Sequence, residues 1–148
     1  MSDNGHVKTT LGALVDADMT GALNRLSALR LSAKQAYHAH RLIGFARAEL
    51  KEYDARRMDL VKQYGAERPS TDAERRQGAP RTVSEVDVNS DGWDAFSAEV
   101  KELKAVEVEL PWRPFNLCEL GTNEIMPADV TLLGALVCWD EPQDQKKD

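Results

Sequence analysis

The sequence predicts an α+β fold, mainly α: a long antiparallel helical hairpin with short flanking helices and a small antiparallel β-sheet. Three observations lead there. Apolar or small residues recur at heptad spacing between residues 36 and 64, a shorter stripe of the same kind follows at Trp93, Phe96, Val100 and Leu103, and brief alternating segments lie outside both. Composition agrees. Of the 148 residues 42% are hydrophobic, enough for a core, while 30% are charged and 6% aromatic, which favours solvated helix faces over a broad covered sheet. This length suits one domain over residues 1–140, followed by a mobile charged tail over 141–148.

In chain order, residues 1–8 are polar and read as loose. Residues 9–15 mix Leu11, Leu14 and Val15 with small residues, which fits a short strand or a helix lead-in, the strand preferred. Asp16 and Asp18 offer capping carboxylates to a first helix over 19–29, where Ala22, Leu23, Leu26 and Leu29 recur at helical spacing. Ser32 stands three residues before Gln35, the capping-box pattern, and starts the long helix at 33. Ala36, Ala39, Ile43, Ala46, Leu50, Tyr53, Leu60 and Tyr64 carry its stripe, Leu42 and Phe45 widen it, and Arg57 interrupts it. Gly65 suits the left-handed conformation that ends a helix. From 33 to 64 the helix would span about 48 Å at ~1.5 Å per residue. Glu52 and Arg56 lie four apart on its outer face in the favourable order.

Residues 66–82, AERPSTDAERRQGAPRT, hold two prolines, a glycine and many charges without apolar periodicity and read as a flexible loop. Val83, Val86 and Val88 alternate imperfectly, consistent with a short strand over 82–88. Asn89, Ser90 and Asp91 form an N-cap cluster for a second helix, whose stripe is the natural partner of the first. Residues 106–110 alternate apolar and acidic as a half-buried strand does, and Pro111 and Pro114 end it. A further strand over 115–120 is followed by a turn at Gly121 and Asn123. Pro127 at a first helical position and Asp129 in the first turn then open a last helix. Its Val130, Leu133, Leu136 and Val137 face inward, and it ends near Trp139.

Charge and hydropathy narrow the partners. A net charge of −6 repels a phosphate backbone and no dense Lys/Arg run offsets it, so nucleic acid is not expected as a partner. No apolar run approaches the ~20 residues of a membrane span, and the N-terminus lacks a basic segment followed by an apolar one, so neither membrane nor secretion is expected. Cys118 and Cys138 sit in apolar surroundings of a chain expected to stay in a reducing compartment. Free thiols are the first reading, a disulfide or a subunit contact the alternative.

Chemical motifs are sparse. Asp87-x-Asn89-x-Asp91-Gly92 matches the first half of a calcium-binding EF-hand loop, but position twelve is Ala98 in place of the bidentate glutamate, so a helix cap is preferred over a calcium site. His38 and His40, two apart on a helix, point in different directions and read as solvated. No phosphate loop, nucleophile elbow or ligand cluster occurs, so no catalytic residue, metal or cofactor is expected. What the sequence offers for function is contact. Arg41, Arg47 and Arg57, with Arg56, give the long helix a basic side that could meet an acidic partner or pair locally. Tyr53 and Tyr64 lie on the stripe, and Trp112, Phe115 and Trp139 are aromatics near prolines and the chain end, suited to a satellite core or a docking surface.

Five segments carry a resemblance: LSAKQAY at 31–37, ELKEYDAR at 49–56, LVKQYG at 60–65, VEVEL at 106–110 and PADVTLL at 127–133. Together they resemble a family of small uncharacterised proteins of tailed phages and prophages. LSAKQAY departs from that family's proline-containing form at this position. The resemblance implies a phage setting, in the virion or the cytoplasm of the infected bacterium, and no assigned activity. The expectation is a non-enzymatic structural or accessory component of the head, connector or tail, docking through its hairpin and oligomeric in the assembled state. The alternative is a phage-encoded regulatory binder of a host protein, in anti-defence or host takeover. Because the long stripe outruns the partner helix, Arg57 is expected at an exposed or subunit-facing place.

Overall fold

The computed structural model describes residues 5–121 and 123–140, so the expectations for residues 1–4 and for the tail at 141–148 lie outside the described residues. The chain is mainly helical with small two-stranded sheets. It forms two compact units, one of Met1–Leu50 with Val106–Asp148 and one of Lys51–Ala105.

The first unit opens on strand β1 (Val7–Thr10), which runs antiparallel to β4 (Glu107–Leu110), with Val7 opposite Leu110 and Thr10 opposite Glu107. The strand preferred over 9–15 is therefore corrected: the strand lies earlier, within residues read as loose, and residues 11–14 are helical, the lead-in alternative. Val7 and Leu110 are buried while Lys8 and Glu109 are exposed, the alternation expected of a ribbon with one covered face. Helix α1 (Leu11–Leu14) is a single turn, with the Thr10 hydroxyl accepting from the Ala13 amide at 3.2 Å. Helix α2 (Ala17–Ser27) starts at Asp16, whose carboxylate accepts from the Asp18 amide at 2.8 Å, and buries Met19, Ala22, Leu23 and Leu26.

Helix α3 is Ala33–Tyr64, as its sequence pattern predicts. Only half of the capping box forms. The Ser32 hydroxyl accepts from the Gln35 amide at 3.4 Å, but the Gln35 side chain donates to Glu119 at 2.8 Å and does not return to the helix start. Ala39, Leu42, Ile43 and Ala46 join the core with Leu14, Leu23, Leu26, Leu110, Phe115, Leu133 and Leu136.

The C-terminal part of this unit departs from the expected long strand and long helix. Strand β5 is two residues, Phe115–Asn116, followed by a 3-10 turn at Leu117–Glu119. Helix α6 (Pro127–Leu133) stops at Gly134, whose φ of +51° no longer continues a helix. A second 3-10 turn leads to β6 (Val137–Cys138), which pairs with β5 in parallel, not antiparallel.

The second unit holds the end of α3 and the largest correction. Residues 66–82 are not one loop. They form strand β2 (Ala66–Pro69), helix α4 (Asp72–Arg76) and the start of strand β3 (Thr82–Glu85), with β2 and β3 antiparallel. A full capping box starts α4: the Thr71 hydroxyl accepts from the Glu74 amide, and the Glu74 carboxylate accepts from the Thr71 amide. Arg68 then holds the hairpin shut, donating to both oxygens of Glu74 at 2.9 and 2.8 Å and to Glu85 at 2.6 Å. Gly65 is needed for closeness and not for a left-handed turn. A Cβ there would lie 2.5 Å from the carbonyl oxygens of Val61 and Glu85, and its φ is not positive.

Helix α5 (Trp93–Lys104) completes the unit. Its N-cap is Gly92, with no side-chain cap, so the cluster at 89–91 does not cap it. Asp87 instead accepts from the Asn89 amide at 2.8 Å, and the Ser90 hydroxyl donates to the Asp87 carbonyl. The Tyr64 hydroxyl donates to Glu99, linking the end of α3 to α5.

Candidate functional site

Eight residues were singled out as contact candidates, and the structure sorts them. Phe115 and Tyr53 are buried, 3% and 5% exposed, and act as core in place of docking surface. Arg47 pairs locally, donating to the Asn24 side chain at 2.7 Å, and Tyr64 is committed to Glu99. Arg57 is exposed, as is every residue from 54 to 59. Trp139 is 65% exposed. Arg41 and Trp112, 71 positions apart by number, are brought together.

The cluster around those two is built from three pieces of backbone. Helix α3 places Tyr37, Arg41 and Phe45 four apart, hence on one face. The β1 and β4 ribbon fixes Trp112: its amide donates to the Leu110 carbonyl at 2.7 Å and its carbonyl accepts from the Val7 amide at 3.0 Å. The indole Nε1 then donates to the His38 carbonyl at 3.1 Å, laying the ring along the helix. With Trp112 in place, the Arg41 guanidinium sits 5.2 Å from its ring centroid and 4.9 Å from that of Phe45, within cation–π range. Tyr37 meets Trp112 edge to face at 6.0 Å.

His38 is half-buried in this cluster, its ring 5.7 Å from Trp112, and not the solvated helix-face residue expected. Its Nδ1 is buried with no hydrogen-bond partner. Burial lowers its pKa, and the positive charges of Arg113 and Lys34 push the same way against the opposing pull of Glu119. Lys34, Arg41 and Arg113 are exposed, and among the described residues none forms an ion pair. The result is a half-buried aromatic cluster that opens at Tyr37, with Arg41 over two of its rings, on an acidic chain.

Sequence reasoning found two members of this patch and missed Lys34, Tyr37, His38 and Arg113. One signal was available: Tyr37, Arg41 and Phe45 share a helix face, and Tyr37 falls outside the apolar stripe. The covering tryptophan could not be read, because it depends on the ribbon pairing.

Elsewhere the chemistry is structural or quiet. Arg25 grips Asp129 through two bonds of 2.7 Å, and this pair lies beside a cleft of about 260 Å³ formed with Leu26, Leu29, Ile125 and Met126. Cys118 and Cys138 are half-buried, and burial followed by the Asp140 charge raises the Cys138 thiol pKa. Among the described residues no group of three or more His, Cys, Asp or Glu side chains could hold a metal ion, Asp87 and Asp91 included. No helix among the described residues is long and apolar enough to cross a membrane. Comparison with protein-family models, curated proteins and solved structures finds no match to this chain.

Proposed function

We propose that this chain is a non-enzymatic docking protein, a structural or accessory component of a tailed-phage virion that attaches through α3 and α5 acting as a helical hairpin. The observation that carries the docking is the exposure of residues 54–59, more than a full turn of α3 open to solvent around its whole circumference. A helix gains most of its stability from packing, so a bare segment in mid-helix, with Met58 44% exposed beside Arg57, invites a partner surface. The Tyr64 to Glu99 bond supports the hairpin. The phage setting rests on the resemblance of the five segments named above.

Mass spectrometry of purified virions tests the assignment. The expected result is this protein present at a fixed copy number relative to the major capsid or tail protein. Its absence would remove the virion role, and recovery instead with one stoichiometric host protein would favour the regulatory binder. Within virions, Met58→Glu is expected to abolish incorporation while leaving the circular dichroism spectrum unchanged. Unchanged incorporation would detach docking from this segment.

A further inference from the structure

The Arg41 and Trp112 patch belongs to the first unit and the bare segment of α3 to the second, so the patch makes a separate claim. We propose that it is a binding surface for an acidic segment of a partner protein, with Arg41, Lys34 and Arg113 meeting carboxylates and the exposed ring of Tyr37, beside the half-buried Trp112, packing against an apolar side chain.

Charge complementarity selects this occupant. The chain carries a net −6, yet here Arg41 lies over two rings of one cluster and the charges of Lys34 and Arg113 reach its His38, none of the three in an ion pair among the described residues. Most Lys and Arg side chains among the described residues make no ion pair, so what marks this place is the company of its cations with one aromatic cluster, away from the arginines that do pair. Arg25, Arg56, Arg68 and Arg75 all engage Asp or Glu. Arg41 lies instead over two rings, which orders its guanidinium while leaving hydrogen-bond donors for a carboxylate. Glu119, whose charge opposes those of Arg113 and Lys34 at His38, accepts from the Gln35 side-chain amide at 2.8 Å and forms no ion pair among the described residues.

Residue type points the same way. Tyr, Trp and Arg are the side chains most often responsible for binding energy at protein interfaces. Tyr37, at 57% exposed, is a large aromatic left open beside them. The patch is also pre-organised: Trp112 is held at its backbone and at its indole nitrogen, so little ordering remains to be done on binding. A nucleic-acid strand would find the same cations, but the acidity of the rest of the chain opposes a long polyanion more than a short acidic peptide.

The test uses the full chain and a fluorescein-labelled peptide of alternating Glu and Leu, with the Gln and Leu analogue and a labelled oligothymidylate as controls. The acidic peptide is expected to bind at least about tenfold tighter than its glutamine analogue, and to weaken as salt rises. Arg41→Gln with Arg113→Gln should remove that preference while the near-ultraviolet circular dichroism of the fold persists. Tyr37→Ala, on an exposed ring, should weaken both peptides alike. Equal affinity for the two peptides, or an acidic preference that survives the double substitution, would overturn the proposal. Tighter binding of the oligothymidylate would also overturn it, reassigning the patch to single-stranded nucleic acid. So would sedimentation showing a dimer that Arg41→Gln with Arg113→Gln returns to monomer and that the acidic peptide does not dissociate.

Discussion

Asp129 is 5% exposed, and both its oxygens accept from Arg25, so its charge is tied to the folded state. The hydrogen bond from Arg25 holds its carboxyl below the ordinary 3.8, against the opposing effect of burial. A carboxyl lowered on folding contributes stability that is present above its unfolded value and is lost as the pH falls through the folded one. Urea unfolding should therefore show a midpoint that drops on acidification below about pH 4, and Asp129→Asn should lower the midpoint at neutral pH and flatten that acid limb. A variant that keeps the wild-type acid profile would show that other carboxylates set it. Glu74 follows the same sign more strongly. Arg68 foremost, then the Thr71 amide, brings its pKa from 4.5 to about 2, so β2, α4 and β3 should lose this contribution between those two values. In Arg68→Gln the loss should already be present at neutral pH, as read from the amide signals of residues 66–85. Gly65→Ala belongs here too. Its methyl group meets two carbonyl oxygens at 2.5 Å, neither of which is a flexible side-chain end. A cost of about 1–3 kcal/mol or more is expected in chemical denaturation, and a neutral result would show that the β2 and β3 hairpin shifts freely.

At the scale of elements, local signals succeeded where they ran without interruption and failed where two of them competed. The heptad pattern of α3 is long enough that its ends agree with the sequence, as does its buried face up to Tyr53, marked by the fully buried Leu42; beyond it Val61 is buried where the stripe named Leu60 and Tyr64. Leu42→Ala should cost about 2–5 kcal/mol in a denaturant titration. In residues 66–82 the box Thr71-x-x-Glu74 was present, but prolines, charges and the missing apolar stripe argued for a loop. That composition misleads because this hairpin is held by ions and not by a hydrophobic face: α4 buries no residue, and Arg68 bridges Glu74 and Glu85. Thr71→Ala should reduce the helicity of α4 at a cost of about 1 kcal/mol. The last helix was read too long because Val130, Leu133, Leu136 and Val137 keep inward positions across a change of backbone. Gly134 turns the chain between them.

For the whole molecule, the core is unevenly shared. The contiguous hydrophobic cluster lies wholly within the first unit, from Val7 to Leu136, whereas the second unit buries only Tyr53, Val61 and Phe96 among its large apolar residues. Opening free energy tracks buried apolar contact, so the second unit should open first. Hydrogen exchange followed by mass spectrometry should show residues 93–104 of α5 exchanging well before 22–26 of α2. Simultaneous exchange of both would mean one cooperative unit. Residues 54–59 of α3 should exchange earlier than 39–46 of the same helix unless a partner is bound, which makes this segment a direct reporter of docking.

The amino-acid sequence alone determined the helical character of the chain and the course of α3 from Ala33 to Tyr64, because helix periodicity and capping act within a few residues. It could not determine the division into two units, the three two-stranded sheets among the described residues or the parallel pairing of β5 with β6. Those depend on which short segments meet, and strands of two to four residues carry too little pattern to name a distant partner. The aromatic patch belongs to the same class. Arg41 and Tyr37 stand on a helix face legible from spacing, but only the pairing of β1 with β4 carries Trp112 over that face and so makes a surface of them.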